Sequence, residues 1–322
     1  MDAGMIRRVK DIYDNNGNIM EYFRNMEKRD YNTTEDILIS YDFQAGTYSE
    51  DYWNKKNYYE KTREELSQII NHYIQKLEFS SDQEKNDEPD TIHTGYKILE
   101  AGIGEGTTFG LIMKRLKLQP EYSYGFDISW SRIKECHRFL REIEEAEYKK
   151  CLFVGDMMSI PLKDCSIDIV YTAHALEPNS GRERELLKEL YRVAGQYVIL
   201  FEPSYELADA EQKKHMEHHG YIRGLLAEAE SLGYQVVEHR ILDFARHEIN
   251  PSSVMVIYKG AETVRYDDVL CDPVSKGELV HGKSSYFSKD CLVAYPIIED
   301  IPCLNITNAV LATKYLDHIN NS

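Results

Sequence analysis

The chain has 322 residues, 42% hydrophobic and 29% charged, enough apolar material to bury a core in one large domain plus a small one. Acidic residues outnumber basic ones 55 to 38 for a net charge of −17, with no long basic run, which weighs against a nucleic-acid grip built on phosphate neutralisation. No apolar run approaches the roughly 18 residues of a membrane helix, and the first residues lack the apolar stretch of a secretory signal.

Residues 1–50 are polar and rich in tyrosine and asparagine, with a short helix expected over 11–26. The segment 54–78 reads as a stronger helix, because Tyr58, Tyr59, Leu66, Ile69, Ile70, Tyr73, Ile74 and Leu77 recur at spacings of three and four. The charged, turn-rich stretch 80–95 is expected to be an exposed loop. From Tyr96 the pattern changes to strands expected at 97–101, 122–126, 151–154, 167–172, 197–201, 235–242 and 253–258. Helices at 131–145, 182–193 and 221–232 fall between them, and this alternation implies βαβ units. The last two strands follow each other without a helix, so one of them is expected to run antiparallel. Beyond Lys259 come short strand-like pieces, a turn over 271–276 and a closing helix over 309–319.

The expected fold is therefore α/β, a seven-stranded, mostly parallel sheet with helices on both faces. A helical N-terminal extension occupies 1–90, the main domain 91–260 and a small α+β unit 261–322. The six cysteines form no Cys-x-x-Cys pair, and their spread points to reduced thiols in the cytoplasm.

The segment KILEAGIGEG sets Gly102, Gly104 and Gly106 directly after the first strand, where backbone can turn tightly and approach a ligand. A dinucleotide fingerprint is Gly-x-Gly-x-x-Gly; here the spacing is Gly-x-Gly-x-Gly, preceded by Glu100. A carboxylate there repels pyrophosphate but suits an ammonium group.

With these residues in view, the chain resembles the class I, Rossmann-like S-adenosylmethionine-dependent methyltransferases over roughly 96–258. The resemblance implies S-adenosylmethionine as cofactor and S-adenosylhomocysteine as product. It places Asp127, at the end of YGFD, on the ribose hydroxyls, and gives Ile128 and Thr172 to the cofactor as well. It places Asp156 of VGDMMSIPL on the adenine amino group, with Met157 on the ring. SIDIVYTAHALEP resembles the motif facing the transferred methyl. A tyrosine-bearing segment before the core folds over the cofactor in related enzymes, which implies Tyr41 and Tyr48 near the sulfonium, whose charge aromatic faces attract. Bland readings remain for each: a strand-end carboxylate for Glu100, a helix N-cap for Asp127, a turn for Asp156, and edge packing for the tyrosines.

His174, after the fourth strand, is the candidate general base or acceptor-positioning group; a histidine packed near the next helix is the alternative. Glu177 is expected to be a buried structural carboxylate. Glu202 and Tyr205 follow the fifth strand and are also candidates for the catalytic rim. HMEHHGYIRG offers His219, Tyr221 and Arg223 as a substrate wall, the arginine holding an anion. A solvated helix start is the alternative, and without a carboxylate partner the histidines are not read as a metal site.

The tail CDPVSKGELVHGKSSYFSKDCLVAYPIIEDIPCLN resembles the small zinc-ribbon-like family that includes the activator subunit of certain tRNA methyltransferases. The resemblance puts Asp272, Ser275, Ser288 and Cys291 where zinc-binding members carry four cysteines. One thiol of four implies a metal-free unit, docked on the catalytic domain or a second subunit, so a homodimer stays open. The wording of FDISWSRI, HALEPNSGRERELLKELYRV and LFEPSYELA is similar to a bacterial branch acting on surface polysaccharides or small molecules. The expected activity is O-methylation of a small polar or anionic metabolite such as a sugar, nucleotide sugar or surface-polysaccharide precursor, with no nucleic acid and no membrane span. The competing readings are a tRNA or rRNA methyltransferase and a cofactor-binding module without turnover.

Overall fold

In the computed structural model, which describes residues 3–78, 95–143, 148–246 and 249–319, the polar N-terminus is helical throughout. Five helices come first: α1 (Ala3–Asp14), α2 (Ile19–Glu27), α3 (Thr34–Phe43), α4 (Thr47–Asn54) and α5 (Lys56–Ile74). The single helix expected over 11–26 is two, because Asn18 starts a new one by accepting the Glu21 N–H at 3.0 Å. Thr33 and Asp36 close a capping box that starts α3. The exposed loop expected over 80–95 lies, apart from Gly95, outside the described residues.

The main sheet contains β1 (Lys97–Ala101), β2 (Tyr122–Asp127), β3 (Lys150–Val154), β4 (Ile167–Ala173), β5 (Ala194–Pro203), β6 (Gln235–Arg246) and β7 (Pro251–Tyr258) in the order 3-2-1-4-5-7-6. Strands β1 to β5 pair in parallel, whereas β7 is antiparallel to both β5 and β6. Alternate residues along each strand feed two cores, which is why the strands read as continuous apolar runs. On one face Ile98, Ile169, Tyr171, Ile199 and Phe201 pack with α5, α6 (Thr107–Met113) and α7 (Trp130–Ile143). On the other, Leu99, Val170, Val198 and Leu200 meet Leu186, Leu187 and Leu190 of α8 (Glu183–Val193). The expected helix 221–232 shortens to α10 (Leu225–Ser231), which starts after the left-handed Gly224, and an unexpected helix, α9 (Ala210–His219), precedes it and ends at the left-handed Gly220.

The C-terminal unit is a small sheet of β8 (Leu279–His281), β9 (Ser285–Ser288), β10 (Val293–Ile298), β11 (Ile301–Pro302) and β12 (Val310–Leu311). The expected closing helix shortens to α11 (Tyr315–Ile319), because Val310 and Leu311 pair with β10 instead. The unit docks on the large sheet at β3, where the Leu304 N–H bonds the Val154 carbonyl at 2.8 Å and Cys303 bridges to Val154. It thereby covers an edge strand. The four positions aligned with zinc ligands converge on Asp272. One of its oxygens accepts from Val274 N (2.8 Å), Ser275 N (2.7 Å) and Cys291 Sγ (3.5 Å), and the other from Tyr295 Oη (3.0 Å). No helix among the described residues is long and apolar enough to cross a membrane.

Candidate active site

Strands β1 to β4 end on one side of the sheet, and the turns that follow them border a cavity of about 490 Å³. After β1 the chain turns through Gly102 and Gly104, at φ 76° and 55°. A Cβ at Gly102 would lie 2.4 Å from the Ala175 side chain, and one at Gly104 2.6 Å from the Arg132 guanidinium. Asp127, at the end of β2, accepts N–H bonds from Gly104 at 3.0 Å and Ser129 at 2.9 Å, so it ties the glycine turn to the next helix. Asp156, just after β3, accepts from Met158 N at 2.9 Å, and burial raises its pKa. Glu100 accepts the Tyr171 hydroxyl at 2.7 Å, and burial pushes its pKa up to about 8.

A roof is built from α3 to α5. Glu105, in the glycine turn, accepts backbone N–H bonds from Gly46 (3.1 Å), Tyr48 (3.3 Å) and Ser49 (2.7 Å), satisfying the open start of α4. Asp42 accepts from the Ser129 hydroxyl at 2.7 Å. Between these two carboxylate ties, the Arg132 guanidinium lies over the rings of Tyr41 and Tyr48, 4.8 and 4.7 Å from their centroids. Arg132 Nε finds no hydrogen-bond acceptor among the described residues. Arg63 of α5 also lines the cavity, donating to Thr108 Oγ1 at 3.2 Å and stacking on Tyr59.

Beyond β4, His174 sits at φ 54°, a left-handed conformation that costs a residue with a Cβ on the order of 1 kcal/mol. Its Nδ1 contacts Glu177, and its Nε2 lies 2.7 Å from the Ser252 hydroxyl. Asn250 donates to the same Glu177 oxygen at 3.4 Å. The His174 side chain is 42% exposed, and its open surface belongs to the cavity wall. Burial lowers its pKa, but the adjacent Glu177 carboxylate more than offsets this and the net direction is upward.

The cavity gathers Tyr41, Tyr48, Glu100, Gly102, Gly104, Asp127, Ile128, Asp156, Met157, His174 and Tyr221 among the residues singled out from sequence. Gly106 caps the start of α6 behind it. Five residues fall elsewhere. Thr172 is fully buried within β4, and the wall is made by the next residues, Ala173 to Ala175. Glu202 turns away from the cavity and accepts from Ala175 N (3.0 Å) and Leu176 N (3.2 Å), so it braces the loop carrying His174. Tyr205 donates to Glu217 at 2.7 Å on the outer surface. Arg223 reaches Ser180 at 3.4 Å beside a separate cavity of about 10 Å³ that Tyr205 shares. His219 lines an outer groove of about 700 Å³, which shares Tyr41, Tyr48 and Tyr221 with the inner cavity. Among the described residues no group of three or more His, Cys, Asp or Glu side chains is placed to hold a metal.

The sequence reading passed over Arg63, Arg132, Glu105, Asn250 and Ser252. The arginines did leave a signal. Each interrupts the apolar face of its helix, Arg63 one turn from Tyr59 and Arg132 one turn from Cys136.

A mostly parallel sheet with a glycine turn after β1 and an acid at the end of β2 makes a Rossmann-like fold. Residues 98–196 match the family described as "Methyltransferase domain". Solved structures overlap in part. Magnesium protoporphyrin IX methyltransferase from Synechocystis PCC 6803, with bound S-adenosylmethionine, is 14% identical, covering 69% of this chain and 96% of its own at a TM-score of 0.45. A S-adenosylmethionine-dependent methyltransferase from Methanosarcina mazei is 17% identical, covering 54% and 99% at 0.42. A chain of the complex between the Haloferax volcanii Trm112 methyltransferase activator and a methyltransferase is 13% identical, covering 68% and 96% at 0.46. The match runs from β1 into the start of β5, so this part of the chain is a methyltransferase domain, and S-adenosylmethionine is the cofactor it supports. The lining fits that cofactor, since it offers carboxylates for hydroxyl and ammonium groups and, in Arg63, a cation without an ion pair among the described residues.

Proposed function

We propose that this enzyme O-methylates a small polar or anionic metabolite, such as a sugar, nucleotide sugar or surface-polysaccharide precursor, in the cytoplasm. The observation that carries this reading is the roof. Tyr41, Tyr48 and Tyr221 enclose the cavity beside His174, which suits a small acceptor better than a duplex. The net charge of −17 supports it too, because it opposes approach to phosphate backbones.

S-adenosylmethionine supplies an electrophilic methyl group on a sulfonium. Asp127 would hold the ribose hydroxyls, and Asp156, Met157 and Ile128 the adenine. Glu100 would take the ammonium group and Arg63 the carboxylate of the methionine end. Tyr41 and Tyr48 exclude water and present aromatic faces to the positive charge. Correct placement contributes the larger share, on the order of 7–11 kcal/mol. His174 removes the acceptor proton, a contribution of about 10²–10⁴-fold. In this reading residues 1–90 are the lid, 91–260 the methyltransferase domain, and 261–322 a brace on β3.

Incubating the protein and S-adenosylmethionine with a small-molecule extract, and separately with total tRNA and rRNA, tests this by mass spectrometry. The expected product is a metabolite heavier by one methylene, with unmodified RNA. Methylated RNA and unchanged metabolites would overturn it.

A further inference from the structure

Ser252 stands out because nothing in the cofactor site needs it. It is the second residue of the antiparallel strand β7, paired with Pro203 at the end of β5, so it arrives where the parallel strands finish. Only 2% of the residue is exposed, yet it lines the cavity. Its hydroxyl lies 2.7 Å from His174 Nε2, and the His174 tautomer decides which of the two donates. The Glu177 carboxylate can only accept, so the neutral His174 ring carries its proton on Nδ1. Nε2 is left as the acceptor, and Ser252 as its donor. Asn250 fixes Glu177 from the β6–β7 turn, and the His174 backbone is held left-handed while its N–H bonds the Phe201 carbonyl at 3.0 Å. Strain retained in this way favours a task over plain packing.

The geometry points to Ser252 as the proton relay between the acceptor and His174, with Glu177 as the residue that positions the ring, and hence to a neutral hydroxyl as the methylated group. The acceptor hydroxyl gives its proton to Ser252 Oγ as Ser252 passes its own to His174 Nε2. The acceptor oxygen bonds the methyl carbon, the carbon–sulfur electron pair stays on sulfur as a thioether, and the positive charge ends on the imidazolium beside Glu177. A carboxylate or phosphate acceptor would leave this relay without a proton to move. The inference rests on His174 being the base of the proposed reaction. The charged groups around the ring are Glu177 after β4, Glu202 on β5 and Arg63 on α5. The two carboxylates favour the imidazolium and the arginine opposes it. Turnover that needs the neutral ring should therefore rise with pH through an inflection above 6.5.

Nitrogen-15 NMR of histidine-labelled full-length protein bound to S-adenosylhomocysteine reads the ring without any acceptor. The expected spectrum shows His174 protonated on Nδ1 in its neutral form, and Glu177→Gln should lower its pKa. Ser252→Ala should keep the S-adenosylhomocysteine affinity within about twofold and reduce turnover of the methylated metabolite by about 10²-fold, with Ser252→Thr restoring most of it. A neutral ring protonated on Nε2 would overturn the relay, as would full turnover in Ser252→Ala while His174→Ala is impaired. Full activity in His174→Ala would instead remove the base on which the inference stands.

Discussion

Asp272 is a fully buried carboxylate held by hydrogen bonds rather than by an ion pair. Burial pushes its pKa up, but the donors at Ser275, Ser288, Val274 and Tyr295 outweigh burial and hold the carboxyl below its ordinary value. A depressed carboxyl stabilises the fold above its unfolded pKa, near 3.8, and loses that contribution as pH falls through the lower folded value. Asp272→Asn should cost the full chain about 1.5–3 kcal/mol in chemical denaturation at neutral pH, the scale of hydrogen bonds to a charge. The difference should shrink in acid. An unchanged midpoint would mean that the cluster does not hold the C-terminal unit together.

At the scale of elements, the roof hangs on one side chain of the glycine turn. Glu105 gives the first turn of α4 a formal charge as well as acceptors. Glu105→Gln keeps the shape and removes the charge. Hydrogen exchange across residues 46–54 should then speed up and S-adenosylhomocysteine should bind more weakly, whereas unchanged protection would show that aromatic packing alone holds the lid. The strands were readable because each carries apolar residues for both faces, and the place of Gly102, Asp127 and Asp156 on the cavity wall was readable because the crevice of such a sheet opens at its strand ends. Helices α1 to α4 were harder, since they are short and their apolar residues are interspersed with asparagines, tyrosines and charges. Tyr205 and Arg223 were misplaced because closeness in sequence to β5 says nothing about the direction taken after Pro203. Ser252 and Asn250 were invisible, because they meet His174 and Glu177, respectively, only once β7 inserts antiparallel between β5 and β6.

For the whole molecule, the sheet and the N-terminal helices line one crevice. β3 is braced from outside by residues 303 and 304, and Asp156, two residues beyond Val154, lies on its rim. All of this presumes a sulfonium nucleoside lying across the ends of β1, β2 and β3, and calorimetry tests that presumption most directly. S-adenosylhomocysteine should bind the full-length protein, and Asp127→Ala should weaken it by about 1.5–3 kcal/mol, roughly ten- to a hundredfold in Kd. Equal affinity in wild type and variant, or a dinucleotide binding in place of S-adenosylhomocysteine, would contradict the account.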